Sequence, residues 1–272
     1  MRLFLSGLRK LVRRPASVVT VGLLLGLLVL IIIATATVSA RSGGLEARRA
    51  LLIVTFPGAY EIILSFMFGL GGLFAVIYGA AIAGSEWGWG TLKNAVARGE
   101  SRARYVLLSF AAIALMVAVG LVVTFVLGVG AAIVGANIAG VGTSGLTDAD
   151  TLGRLPEEFI RGWFAVTEEA ALGFAIATLA RSQLAGIGAG IAFYFGETFA
   201  TIFLPDIVKY LPFAVARASV AISGTAAEAG NGGGPGAAAT LPADTALLLV
   251  AAWLIGSLVV AVVFTERAEI TG

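Results

Sequence analysis

From Ala16 to Thr37 the chain carries 22 consecutive residues without a single charge. A bilayer core of roughly 30 Å is crossed by about 20 helical residues at about 1.5 Å of rise each, so this run alone is long enough to span. Further apolar stretches follow at about 58–83, 105–139 and 245–264. Inside lipid every backbone N–H and C=O must find its partner within the protein, which leaves helices or a closed barrel. These runs are continuous rather than alternating, and that selects helices. Composition agrees: 59% of residues are hydrophobic, 12% are charged and the mean hydropathy is +1.00, far above that of a soluble domain. The fold class expected is an all-α polytopic membrane protein with six transmembrane helices in a single domain over residues 1–272.

The N-terminal residues resemble a secretory signal, since Arg9, Lys10, Arg13 and Arg14 precede an apolar run ending at Val38-Ser39-Ala40. The run exceeds the roughly 7–15 residues of a signal's apolar region, so it reads as a retained anchor. Residues 1–15 read as an amphipathic interfacial helix, with Leu3, Phe4, Leu8, Leu11 and Val12 opposite Arg2, Arg9, Lys10 and Arg13. A plain basic flank that fixes orientation is the alternative. Pro15 suits the first turn of the first span, about 16–38. A polar connection, Arg41 to Arg49, leads to the second span, about 58–83, with Glu61 near its start. The third span, about 105–139, exceeds a perpendicular crossing and must tilt, bend or project.

Val141 to Glu158 reads as a polar loop. The apolar run Ala170–Ala180 is too short to cross, so the fourth span is placed at about 159–180, which puts Glu168 and Glu169 at membrane depth. The fifth, about 184–204, carries Gly186 and Gly190 at a spacing that permits close helix approach, unless these are ordinary membrane-helix glycines. Residues 205–243 form an outer connection with short surface helices and a flexible tip, Asn231 to Gly236. The sixth span covers about 245–264. Six crossings put both ends on one side, and 11 of the 18 Lys and Arg residues fall there. That bias makes both termini cytoplasmic.

Cysteine and histidine are absent, which removes disulfides, thiolate chemistry and the usual zinc ligands. No phosphate-binding loop of the type G-x-x-x-x-G-K-[ST] occurs, and the Gly69/Gly71/Gly72 and Gly186/Gly188/Gly190 sets complete no nucleotide fingerprint. Without histidine the common triads fail. No catalytic residue, metal site or cofactor is expected in this chain, and a net charge of +2 gives no reason to expect nucleic acid.

The longest basic interruption between apolar runs is Ser85 to Arg104, SEWGWGTLKNAVARGESRAR. Thr91 is placed to cap a two-turn helix through Leu92 to Arg98, Gly99 to end it, and Ser101 to cap the next span. Arg98 suits the negative end of the short helix's dipole. Trp87 and Trp89 suit the headgroup zone, and Glu86, Lys93, Asn94 and Glu100 are expected to face a polar partner. A solvated interfacial loop is the alternative reading. The run Glu86, Gly90-Thr91-Leu92-Lys93, Arg98-Gly99 and Ser101-Arg102, directly before a membrane helix, resembles the ABC-2 permease family. Arg181-Ser182 resembles that family's second cytoplasmic turn.

The resemblance implies the transmembrane subunit of a bacterial ATP-binding-cassette exporter in the inner membrane. It implies a separate cytoplasmic ATPase carrying ATP and Mg, and a second permease copy or paralogue. Glu86, Trp87, Thr91, Leu92, Lys93, Arg98, Ser101 and Arg102 would then form a coupling helix on the ATPase, with Arg181 and Ser182 a second contact. Ionisable groups within a membrane are functional candidates, here Glu168, Glu169 and Glu197, with Glu61 nearer the interface and Phe193 alongside. They are expected to line a pathway for cationic or amphiphilic cargo, or else to pair with Arg161, Lys209 or Arg217 or face water at a dimer interface. An ion-gradient-driven transporter using these glutamates, and a membrane assembly or signalling protein without cargo, are the competing readings.

Overall fold

A computed structural model describes residues 7–9, 11–12, 14–41, 50–220 and 241–268. Nine α-helices follow in order among them: α1 Pro15–Arg41, α2 Gly58–Gly88, α3 Thr91–Ala97, α4 Arg102–Ala139, α5 Ala149–Ala180, α6 Gln183–Phe203, α7 Pro205–Val208, α8 Pro212–Ser219 and α9 Ala243–Arg267. Six of them, α1, α2, α4, α5, α6 and α9, are long and apolar enough to cross a membrane, and the described residues contain no strand. The protein is an all-α multi-pass membrane protein. Most of the 1–14 segment, the connection 42–49 and the tip Asn231 to Gly236 lie outside the described residues.

Two boundaries differ from expectation in ways that matter. α2 runs on to Gly88, so Glu86 and Trp87 belong to a membrane helix and not to the connection after it. α5 begins at Ala149 and absorbs most of the supposed loop 141–158, leaving a 3-10 turn at Ser144–Thr147. The cause is local: Asp148 accepts hydrogen bonds from the Thr151 backbone N–H (3.0 Å) and hydroxyl (2.6 Å), an N-cap that starts the helix well before its apolar part. Those bonds hold the Asp148 carboxyl below the usual carboxylate range. Pro156 sits within α5 without ending it.

The centre of the bundle is the parallel pair α2 and α5, the most extensive contact in the fold. Their backbones touch. A Cβ on Gly79 would overlap the Ala170 carbonyl, and one on Gly173 would overlap the Val76 carbonyl. With no hydrophobic effect between helices in lipid, such close packing is what draws them together. α6 joins through the two glycines of its small-residue spacing, Gly186 against Ala177 of α5 and Gly190 against Val76 of α2. Around this centre, the outward faces of α1, α4, α6 and α9 carry exposed Leu, Ile, Val and Phe, as a lipid-facing perimeter requires.

α1 and α4 run parallel, with Val21 beside Gly120, Leu28 beside Gly128 and Ile32 beside Gly135. This register answers where the 38 residues of α4 go. Its first turns, from Arg102 to about Ala112, extend past the start of α1 and are covered by Gly7 and Leu11 of the N-terminal segment and by α3.

The outer connection also departs from expectation. α8 does not lie on the surface: Phe213, Val215, Ala216 and Ser219 are buried, and the helix packs between α5 and α9. Pro212 opens it at a position that tolerates the missing N–H.

Candidate functional site

Glu86 lies near the last turn of α2, only 7% exposed. Such burial demands partners, and they converge from three directions. Arg14, itself 7% exposed, donates Nη2 to Glu86 Oε1 (2.9 Å) and Nη1 to Ser85 Oγ (2.7 Å). The Thr91 and Tyr105 hydroxyls both donate to Glu86 Oε2. The Arg14 guanidinium also lies 4.9 Å from the centre of the Trp89 ring. Glu86 therefore ties the N-terminal segment, α2, α3 and α4 together, and the expectation that it faces a partner is corrected.

Two further expectations at α3 change. The N-cap is Gly90, at φ 65°, and Thr91 is the first helical residue, its hydroxyl spent on Glu86. Leu92 is buried at 4% and holds α3 onto the bundle, so it too is withheld from a partner. Gly99, at φ +86°, ends the helix as expected, and Arg98 donates Nε to the Asn94 carbonyl (3.1 Å) at its negative end. Ser101 caps α4 by accepting from the Arg104 N–H (3.4 Å). Lys93, Asn94 and Arg98 are exposed, and Glu100 is half-buried.

The turn between α5 and α6 sits at this same end. A Cβ on Gly84 of α2 would overlap the backbone of Gln183, so turn and helix are in direct contact. Arg181 adopts a left-handed conformation, φ 48°, and its guanidinium lies 5.2 Å from the ring centres of both Trp87 and Phe264. Ser182 caps α6 through the Ala185 N–H (3.3 Å). Arg102 reaches the end of α9, donating to the carbonyls of Thr265, Glu266 and Ala268 at 3.3, 3.0 and 2.8 Å. Between α3, α4, the end of α2 and the N-terminal segment lies a groove of about 570 Å³.

The acidic residues form a second, deeper cluster. Glu168, Glu169 and Glu197 are 0%, 1% and 2% exposed, so none lines an open pathway in this arrangement. Glu197 accepts from the Phe213 backbone N–H (3.2 Å) and from the Ala214 N–H, and lies 3.7 Å from Arg217. It caps α8, and of its three candidate cations it has taken Arg217. Arg161 is instead paired with Glu157 and Asp244, and Lys209 with Asp206. Glu169 lies against Gly72, where a Cβ would overlap its carboxylate. Glu168 has no hydrogen-bond partner on either oxygen among the described residues. Phe193 packs on Phe213 at 5.8 Å between ring centres. Glu61 stays apart, half-buried in the first turn of α2.

Arg14, Tyr105 and Gly72 belong to these clusters and escaped the sequence reading as site residues, whereas Arg217 was among the cations expected to pair with the glutamates. Arg14 carried a signal, being the last cation before an uncharged run that extends past Thr37, where a long cation meets buried surface. Tyr105 and Gly72 carried none, because their partners, Glu86 and Glu169, lie 19 and 97 positions away in the chain. No curated protein matches the sequence. The family described as "Protein of unknown function (DUF2705)" matches residues 27–270, and this chain belongs to it.

Proposed function

We propose that this chain is the permease subunit of an ATP-driven exporter in a bacterial inner membrane, with both termini cytoplasmic. A separate cassette ATPase supplies ATP and Mg chemistry, and a second permease copy or paralogue completes the pathway. One observation carries the reading. A short helix, α3, capped between two membrane helices, lies at the same end of the bundle as the tight α5–α6 turn, and α2 contacts both. Two levers joined to one helix suit a partner that pushes on them together. Because Glu86 and Leu92 are buried, the face left for the ATPase is the exposed side of α3 around Lys93 and Ala97, with Arg181 exposed at the same end of the bundle.

The test is co-purification of the chain with the cassette ATPase encoded nearest to it. Lys93→Glu combined with Ala97→Asp is expected to lower transport-coupled ATP hydrolysis at least about tenfold, a loss of about 1.4 kcal/mol in coupling, while leaving the chain folded. Full coupling in that variant excludes α3 as the contact.

Glu168 favours a second reading, an ion-gradient-driven transporter, because a carboxyl at 0% exposure with no hydrogen-bond partner among the described residues is costly in a bundle that serves structure alone. Under it, Glu168→Gln, Glu169→Gln and Glu197→Gln abolish gradient-driven uptake in vesicles that hold no ATPase. Transport indifferent to a proton or sodium gradient removes this reading.

A further inference from the structure

The groove under α3 has walls of two kinds. Leu11, Ile82 and Ala112 give it an apolar floor, while Arg98 and Glu100 stand at its polar side, separated in sequence only by Gly99. Its volume of about 570 Å³ is in the range that holds a small organic molecule.

Depth identifies the surroundings. The groove is built from the turns of α4 that pass beyond the start of α1, together with Gly7 and Leu11, which precede Pro15. It therefore sits just outside the apolar core, in the headgroup layer, with Trp89 exposed beside the same turn. Leu107 of α4, next to the lining residue Leu108, is 46% exposed, so the floor adjoins lipid-facing surface.

Charge narrows the occupant. Glu86 is matched by Arg14 and adds no net charge. Among the described lining residues Arg98 and Glu100 remain, one cation and one anion. Arg98 commits Nε to the Asn94 carbonyl, and a guanidinium has five N–H donors in all. Among the described residues Glu100 makes a loose contact with Arg104, at 3.9 Å. An anionic headgroup satisfies Arg98 and opposes Glu100. A zwitterionic headgroup with a primary ammonium satisfies both, phosphate to Arg98 and N–H donors to Glu100, whereas a quaternary ammonium has no N–H to give.

We propose that this groove is a binding site for the headgroup of an aminophospholipid, an ethanolamine phosphodiester with its glycerol end over the apolar floor. The site stands whether or not the chain serves an ATPase.

The experiment is native mass spectrometry of the full chain in detergent, with phosphatidylethanolamine, phosphatidylcholine or phosphatidylglycerol of identical acyl chains added at equal concentration. One phosphatidylethanolamine is expected to stay bound per chain, at least about tenfold more tightly than either other lipid. Arg98→Ala and Ser109→Phe, the latter narrowing the groove, each lower that affinity about tenfold, and Arg98→Lys restores most of it. Glu100→Gln reduces the preference over phosphatidylcholine. Equal retention of all three lipids, a preference for phosphatidylglycerol, or retention unchanged in both Arg98→Ala and Ser109→Phe overturns the assignment. Inorganic phosphate added in excess is expected not to displace the lipid, and displacement means a bare phosphate site instead.

Discussion

At the scale of single residues the most consequential atom group is the Glu86 carboxylate. Replacing it with alanine leaves Arg14 buried at 7% without its counter-charge, which typically costs about 3–5 kcal/mol. The expected outcome is loss of stability in detergent, measured by denaturant unfolding, with Glu86→Gln milder because it keeps an acceptor for Tyr105 and Thr91. Gly72→Ala is expected to destabilise through overlap with Glu169, and Glu169→Ala in the same chain to restore most of the loss. Asp148 gives a pH dependence. Its folded-state carboxyl titrates below the ordinary value of about 3.9, so the cap is fully present above that value and is lost as pH falls through the lower, folded one. Comparing Asp148→Ala with the parent by thermal unfolding is expected to show a gap at neutral pH that closes below about pH 4.

At the scale of elements, the α2–α5 pair depends on backbone contact, so Gly79→Val or Gly173→Val forces the helices apart. Either change is expected to lower stability by at least about 3 kcal/mol, read from unfolding midpoints. Span number and placement were legible in the sequence because lipid sets a length and a polarity that local composition reports directly. Gly99 and Ser101 were legible as caps for the same local reason. The inward turn of α8 was not legible: its apolar residues fit a surface helix equally well, and the deciding contact, Glu197 to the Phe213 and Ala214 N–H groups, joins residues 16 and 17 positions apart. Glu86 was misread because an acidic residue after a long apolar run looks solvated, and its partner Arg14 lies 72 positions upstream.

At the scale of the whole molecule, the α3 end is joined by cations placed against rings and carbonyls. Arg181 clamps the α5–α6 turn to Trp87 and Phe264, and it does so from a left-handed backbone that disfavours side chains. Arg181→Gly is therefore expected to lose the clamp but gain back about 1 kcal/mol of backbone strain relative to Arg181→Ala. Unfolding measurements on the two variants should rank Gly above Ala, the reverse of the order within a regular helix. Arg102 carries a different consequence, one of timing. Its three carbonyl acceptors, Thr265, Glu266 and Ala268, leave the ribosome more than 160 residues after Arg102. During synthesis the start of α4 waits for α9, and a nascent chain stopped before Thr265 leaves the bundle unlatched at that corner. The same helix brings Asp244 to Arg161 and Phe264 to Arg181, so the insertion of α9 closes several contacts that the earlier helices leave waiting.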